Sequence, residues 1–172
     1  MKDLTGKKIA ILATHGFEQS ELDIVSPEPG EIRGWKHKDW GSAVKVDKAL
    51  DQVSAVDYDA IVLPGGQMNP DTLRGNDKAL ALIKDFFAQG KTVAAVCHGP
   101  WLLIDTGIAK GRKVTSWPTV RQDLINAGAL WEDREVVTDK GIVTSRKPAD
   151  LPAFVAKIAE EINEGRHSRQ AA

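Results

Sequence analysis

The stretch Val93-Ala94-Ala95-Val96-Cys97-His98-Gly99-Pro100 decides the reading of this sequence. Thr92 to Val96 is short, apolar and partly β-branched, as a strand buried on both faces should be. It runs without a linker into Cys-His-Gly, and Gly99 to Thr106 then reads as a helix stopped at Gly107. A strand that passes into a helix through a sharp turn lifts the turn residue above the carboxyl end of the sheet, where open α/β folds place their sites. The residue lifted here is Cys97. The helix N-terminus that follows, with its dipole and free backbone N–H groups, favours thiolate over thiol. Gly99 lets the backbone pass close by, and Pro100 sits in the first turn, where its missing N–H costs little. From these residues alone two readings stand. Cys97 is a nucleophile with His98 beside it, or it is a small buried hydrophobe with an accidental neighbour.

Outward from this turn, short apolar runs alternate with amphipathic stretches, the pattern of a mostly parallel sheet wrapped by helices. Strands are expected at Ile9–Ala13, Ile24–Val25, Ala60–Leu63 and Val114–Thr115, with a weak one at Val44–Val46. Asp139-Lys140-Gly141 reads as a hairpin turn between Val136-Val137 and Ile142–Thr144. Leu80, Ile83, Phe86 and Phe87 recur at helical spacing over Asp77–Gln89, ahead of Gly90. Arg121–Ala127 reads as a helix closed by Gly128. Asp150 is the expected cap of a last helix that turns Phe154, Ile158 and Ile162 inward and ends at Gly165. Arg166–Ala172 is expected to fray, and Trp35 and Trp40 to flank an exposed hairpin suited to a subunit contact. One interval does not fit. Only about ten residues, Thr14 to Asp23, join the first two strands, whereas parallel neighbours need a crossover of a dozen or more.

Composition bounds the function. A chain of 172 residues supports one domain, taken as residues 1–172. The net charge of −1, with both signs interspersed, implies no nucleic-acid face. No run approaches the length of a membrane span, and no secretory leader is seen. A single cysteine forms no internal disulfide, which fits a reducing, cytoplasmic setting, and it excludes cysteine-cluster metal sites. His15, His37 and His167 read as surface residues without partners at metal-ligand spacing. No glycine-rich phosphate loop is present, so neither a metal nor an organic cofactor is expected.

Two further segments carry chemistry. Leu63-Pro64-Gly65-Gly66 ends a strand with paired glycines, whose N–H groups can face a ligand and build an oxyanion hole; a plain turn is the alternative. Gly16-Phe17-Glu18-Gln19-Ser20-Glu21 follows the first strand, where a carboxyl group can share a hydrogen bond with a thiolate or move protons for it; two solvated glutamates are the alternative.

These segments in this order, with Thr115-Ser116-Trp117-Pro118 and Thr144-Ser145-Arg146 ahead of Pro148 and Asp150-Leu151, resemble the PfpI family of the class I glutamine amidotransferase-like superfamily. The resemblance runs from about Lys7 to Glu164 and implies a flavodoxin-like three-layer sandwich with a cysteine nucleophile elbow. It implies Cys97 as nucleophile. His98 is then its partner, or supplies a backbone N–H to the oxyanion hole beside Gly65 and Gly66. Glu21, with Glu18 nearby, would contact the sulfur. Asp71 stands where PfpI-type peptidases carry an acid that reaches the histidine of a neighbouring subunit, and it is one methylene shorter than the usual glutamate. Trp117 would cover the pocket, as Gly99 and Pro100 line it; a core tryptophan is the other reading. Family members carry a further helix of about fifteen or more residues between the glutamate loop and the strand at Ile24. Here Glu21-Leu22 runs straight into Asp23-Ile24. A true deletion, an internally shortened gene and a stretch left out of the numbering are the three explanations. The well-matched flanks favour the last.

The resemblance implies an oligomeric (dimeric or hexameric) enzyme whose thiolate acts on small reactive carbonyls or their adducts, of glyoxalase III or protein deglycase type. A cysteine peptidase acting on peptides is the first alternative. A non-enzymatic sensor that reads oxidation at Cys97 is the second.

Overall fold

A computed structural model describes residues 3–17, 24–36 and 38–167. The chain forms β1 (Ile9–Leu12), β2 (Ile24–Ser26), β3 (Glu31–Lys36), β4 (Asp39–Lys45), β5 (Lys48–Ala49), β6 (Ala60–Leu63), α1 (Met68–Arg74), α2 (Asp77–Ala88), β7 (Thr92–Val96), α3 (Trp101–Asp105), β8 (Lys113–Val114), α4 (Arg121–Asn126), β9 (Leu130–Trp131), β10 (Val136–Asp139), β11 (Ile142–Ser145) and α5 (Leu151–Glu164). A seven-stranded sheet runs β10-β11-β7-β6-β1-β2-β5 and is parallel except for β10 against β11. This is the α/β fold expected from the sequence.

Strand alternation splits the core in two. Val93 and Ala95 of β7 face Leu82, Ile83 and Phe86 of α2. Ala94 and Val96 face Phe154, Ile158 and Ile162 of α5. Each strand is apolar on both faces because each face is covered, and period 2 decides which residue meets which layer. The Asn76 side chain accepts from the Ala79 N–H and caps α2. At the β10–β11 hairpin, Lys140 and Gly141 both hold positive φ, 49° and 82°, as a two-residue turn of matching twist requires.

Several expectations are corrected. Val44 lies in β4, part of a separate β3–β4 hairpin in which Trp35 pairs with Trp40, while β5 supplies the sheet's edge. Val114 likewise belongs to a small β8–β9 pair outside the main sheet. The helix expected over Gly99–Thr106 is one turn, Trp101–Asp105. Asp150 does not cap α5 with its side chain; its carboxylate takes a two-pronged contact from Arg146, Nε–Oδ2 2.8 Å and Nη2–Oδ1 3.3 Å. Charge-assisted pairing with a guanidinium outweighs one neutral cap bond. His167 is not a surface histidine in a frayed tail. Its N–H donates to the Gly90 carbonyl, its ring lies against Gly141, and its Nε2 sits 3.4 Å from Glu161. Glu161, Glu164 and His167 offer ligand atoms within 4.8 Å of one another there, at the far end of β7 from Cys97. His37 and residues 168–172 lie outside the described residues.

Residues 13–23 join β1 to β2, which pair in parallel with Ile11 opposite Ile24.

Candidate active site

Cys97 sits at the carboxyl end of β7 with φ 61°, a conformation that costs a non-glycine residue of order 1–3 kcal/mol and persists only where its surroundings impose it. They do so from several directions. The Cys97 N–H donates to the Ser145 carbonyl at 3.0 Å, and its own carbonyl accepts from the Trp117 N–H at 2.8 Å. The Thr144-Ser145-Arg146 and Ser116-Trp117 segments are therefore what hold the elbow. Gly65 passes so close that a Cβ there would lie 2.5 Å from the Cys97 Cβ. A Cβ on Gly99 would strike the Leu63 carbonyl. Both glycines are close-approach positions, as the sequence suggested for Gly99.

The Cys97 Sγ lies 3.2 Å from the His98 Nδ1. His98 is sandwiched between two tryptophans, stacked on Trp117 at 6.0 Å and edge-on to Trp101 at 5.2 Å. Burial among these rings pushes the His98 imidazole below its ordinary pKa. Neither the Gly66 nor the His98 backbone N–H meets an acceptor among the described residues. The expected oxyanion pair is thus free to bind an oxygen. With α3 only one turn long, these two N–H groups and the local turn matter more to charge at the sulfur than a helix dipole.

On the other side of Cys97 an apolar cleft of about 40 Å³ is lined by Ile11, Phe17, Val62, Leu151 and Phe154. Gly65 and Cys97 form part of its wall, whereas His98, Trp117, Gly99 and Pro100 do not line it. Trp117 packs on His98 rather than narrowing this cleft.

Asp71 is exposed on α1 and makes no bond to Cys97 or His98 within the chain; the cation whose charge it supports is Arg74. Glu18 and Glu21 lie outside the described residues. One residue that the sequence reading missed is Asn69. Fully buried, it accepts from the Thr14 N–H at 2.8 Å and donates to the Pro64 and Gly65 carbonyls at 3.0 and 3.3 Å. It fastens the turn at Gly65 to the end of β1. The only sequence signal for it is its position, an asparagine just after a strand-Pro-Gly-Gly turn.

The chain matches the DJ-1/PfpI family model over residues 9–161. It is 44% identical to Deglycase TK1284 of Thermococcus kodakarensis, over 89% of this chain and 98% of that one. It is 42% identical to Protein/nucleic acid deglycase 2 of Escherichia coli, over 86% and 93%. Drosophila melanogaster DJ-1beta superposes with a TM-score of 0.79 at 24% identity, over 92% and 94% of the two chains, which supports the fold. The Thermococcus alignment runs over 167 positions yet uses 89% of a chain of 172, so about a dozen or more of its positions have no counterpart here. No helix of the described residues is long and apolar enough to cross a membrane. Matched along most of its length and above 40% identity to curated relatives, the chain belongs to the DJ-1/PfpI family.

Proposed function

We propose that this protein is a cysteine-dependent enzyme that acts on small reactive carbonyls, free or as adducts on proteins, in the manner its deglycase relatives' names indicate. The observation that carries the reading is the 3.2 Å contact between Cys97 Sγ and His98 Nδ1, with the Gly66 and His98 backbone N–H groups lacking an acceptor among the described residues. His98 takes the thiol proton as the sulfur attacks the aldehyde carbon. The carbon–sulfur bond forms, and the carbonyl electron pair moves to oxygen, where the Gly66 and His98 N–H groups receive it. For a 2-oxoaldehyde, the hydrogen on the attacked carbon then leaves as a proton and returns at the neighbouring carbon. That converts the hemithioacetal to a thioester without net oxidation. Water cleaves the thioester, giving a 2-hydroxy acid and restoring the thiol.

Purified protein is expected to consume methylglyoxal and release an equal amount of lactate, and Cys97→Ser to lower turnover by at least about 10³-fold. Equal rates in wild type and variant would sink the reading. Glu18 and Glu21 remain part of the proposal as proton carriers beside the sulfur. So do the cytoplasmic setting and a homo-oligomer, a dimer or hexamer. A peptidase reading is favoured by one observation, the exposure of Asp71, which leaves its carboxylate available to a second subunit. In that case Asp71→Ala abolishes peptide cleavage while sparing lactate formation.

A further inference from the structure

We propose that Asn69 is a positioning residue for the reaction at Cys97: its buried carboxamide fixes the Gly65–Gly66 peptide so that the Gly66 N–H keeps the direction an oxyanion donor needs. The inference rests on the reading of Cys97 as a carbonyl nucleophile, and adds to it the group that holds one half of the oxyanion hole. Paired glycines are a weak support for an N–H that must keep one direction. With no side chain on either residue, the peptide between them can turn over at little cost, and Gly66 already holds φ 78°. A group outside the pair has to choose the orientation.

Asn69, fully buried, makes that choice with both ends of its amide. Its Nδ2 donates to the Pro64 carbonyl at 3.0 Å and to the Gly65 carbonyl at 3.3 Å, so one group holds the peptides on both sides of Gly65. Its Oδ1 accepts the Thr14 N–H at 2.8 Å, which anchors it to the end of β1, the strand paired with β6. These partners dictate the amide's orientation, since a backbone N–H only donates and a carbonyl only accepts. The Gly65–Gly66 bond is trans, and in a planar trans peptide C=O and N–H point in opposite directions. Holding the Gly65 carbonyl on Asn69 therefore turns the Gly66 N–H away from it, where it meets no acceptor among the described residues. Gly65 is also pressed against Cys97, whose Sγ would lie 3.2 Å from an added Cβ. One turn thus carries both the contact with the cysteine and the donor, and Asn69 acts through that turn.

Asn69→Asp keeps the shape and the acceptor for Thr14 but, ionised, has no donor for the two carbonyls. Its kcat for methylglyoxal is expected to fall about 10²-fold, the scale of losing one oxyanion donor, with KM within about threefold. Alkylation of Cys97 by iodoacetamide is expected to stay within about threefold of wild type, because displacement of iodide builds no charge on an oxygen at the hole. Crystal structures are expected to show the Gly65–Gly66 peptide in one orientation in wild type, and turned over or in two orientations in the variant. If Asn69→Asp does not fold, Asn69→Ala, which buries no charge, is put through the same measurements. A folded variant with wild-type kcat overturns the positioning role. A parallel loss of turnover and alkylation also overturns it, and marks Asn69 as scaffolding for the elbow alone. A wild-type protein that consumes no methylglyoxal overturns the carbonyl reading instead. The crystal structures then decide the positioning role by themselves: a peptide that turns in the variant upholds it, and one that stays in place overturns it.

Discussion

Gly65 leaves no space for a methyl group, since a Cβ would lie 2.5 Å from that of Cys97 and 3.2 Å from its sulfur. Gly65→Ala is expected to displace the elbow and slow iodoacetamide alkylation of Cys97 by about tenfold or more, at a stability loss of ~1–3 kcal/mol in urea titration. An unchanged alkylation rate would show that the elbow tolerates the shift. His98 sets the pH response. Its native pKa is lowered by burial, so the unfolded chain holds the proton more tightly there. The associated stability is fully present above the ordinary histidine range and is lost as pH falls through the lower native value. The acid limb of a turnover profile is therefore expected below pH 6.5, and His98→Gln is expected to remove the contribution of the imidazole to it. A midpoint at or above 6.5 would contradict a buried, neutral imidazole. At this scale the sequence was a good guide to placement: Cys97 stands at the carboxyl end of a strand with His98 beside it and Gly99 at a close approach, as their neighbours in sequence suggested. It was a poor guide to Asn69, whose importance comes from three hydrogen bonds to two earlier segments, one of them 55 residues away in the chain.

Elements follow the same division. Ala60–Leu63 and Thr92–Val96 match their expected bounds because central parallel strands are continuous apolar runs with abrupt ends. The helix α1 escaped notice because it opens on Met68-Asn69-Pro70, with no capping side chain and little amphipathic pattern to read. The strand expected at Val44 was misplaced for a different reason. Alternation over Asp39–Lys45 is real but belongs to a two-stranded hairpin, and local period cannot tell which sheet a strand joins. In α2 the local signal and the fold agree, so its cap can be tested in isolation. Asn76→Ala removes the acceptor for the Ala79 N–H and is expected to cost about 1 kcal/mol in urea titration. Alkylation of Cys97 is expected to be unchanged, since the cap bond lies within the first turn of α2 and involves no residue of the elbow.

Across the whole molecule, the two ends of β7 are fastened independently. One end carries the elbow; the other is closed by His167, which ties the end of α5 to Gly90 and to the hairpin at Gly141. Burial raises the Glu161 pKa, and the histidine beside it offsets part of that effect. His167→Ala is expected to lower stability by ~1–3 kcal/mol, because it leaves a buried carboxylate without its partner, and to leave Cys97 alkylation within about twofold. Coupled losses at both sites would show one cooperative network instead. The rims of the main sheet are short. One rim is β5, two residues long, with the Lys48 ammonium over the Tyr58 ring. The other is β10, where the Asp139 carboxylate takes the Lys113 N–H at 2.9 Å and faces Arg112 at 3.8 Å. Neither rim offers a long bare row of amides for another polypeptide to zip onto. Strand addition at the main sheet's rims has almost no ladder to extend, so growth of fibres from the native state by that route is disfavoured.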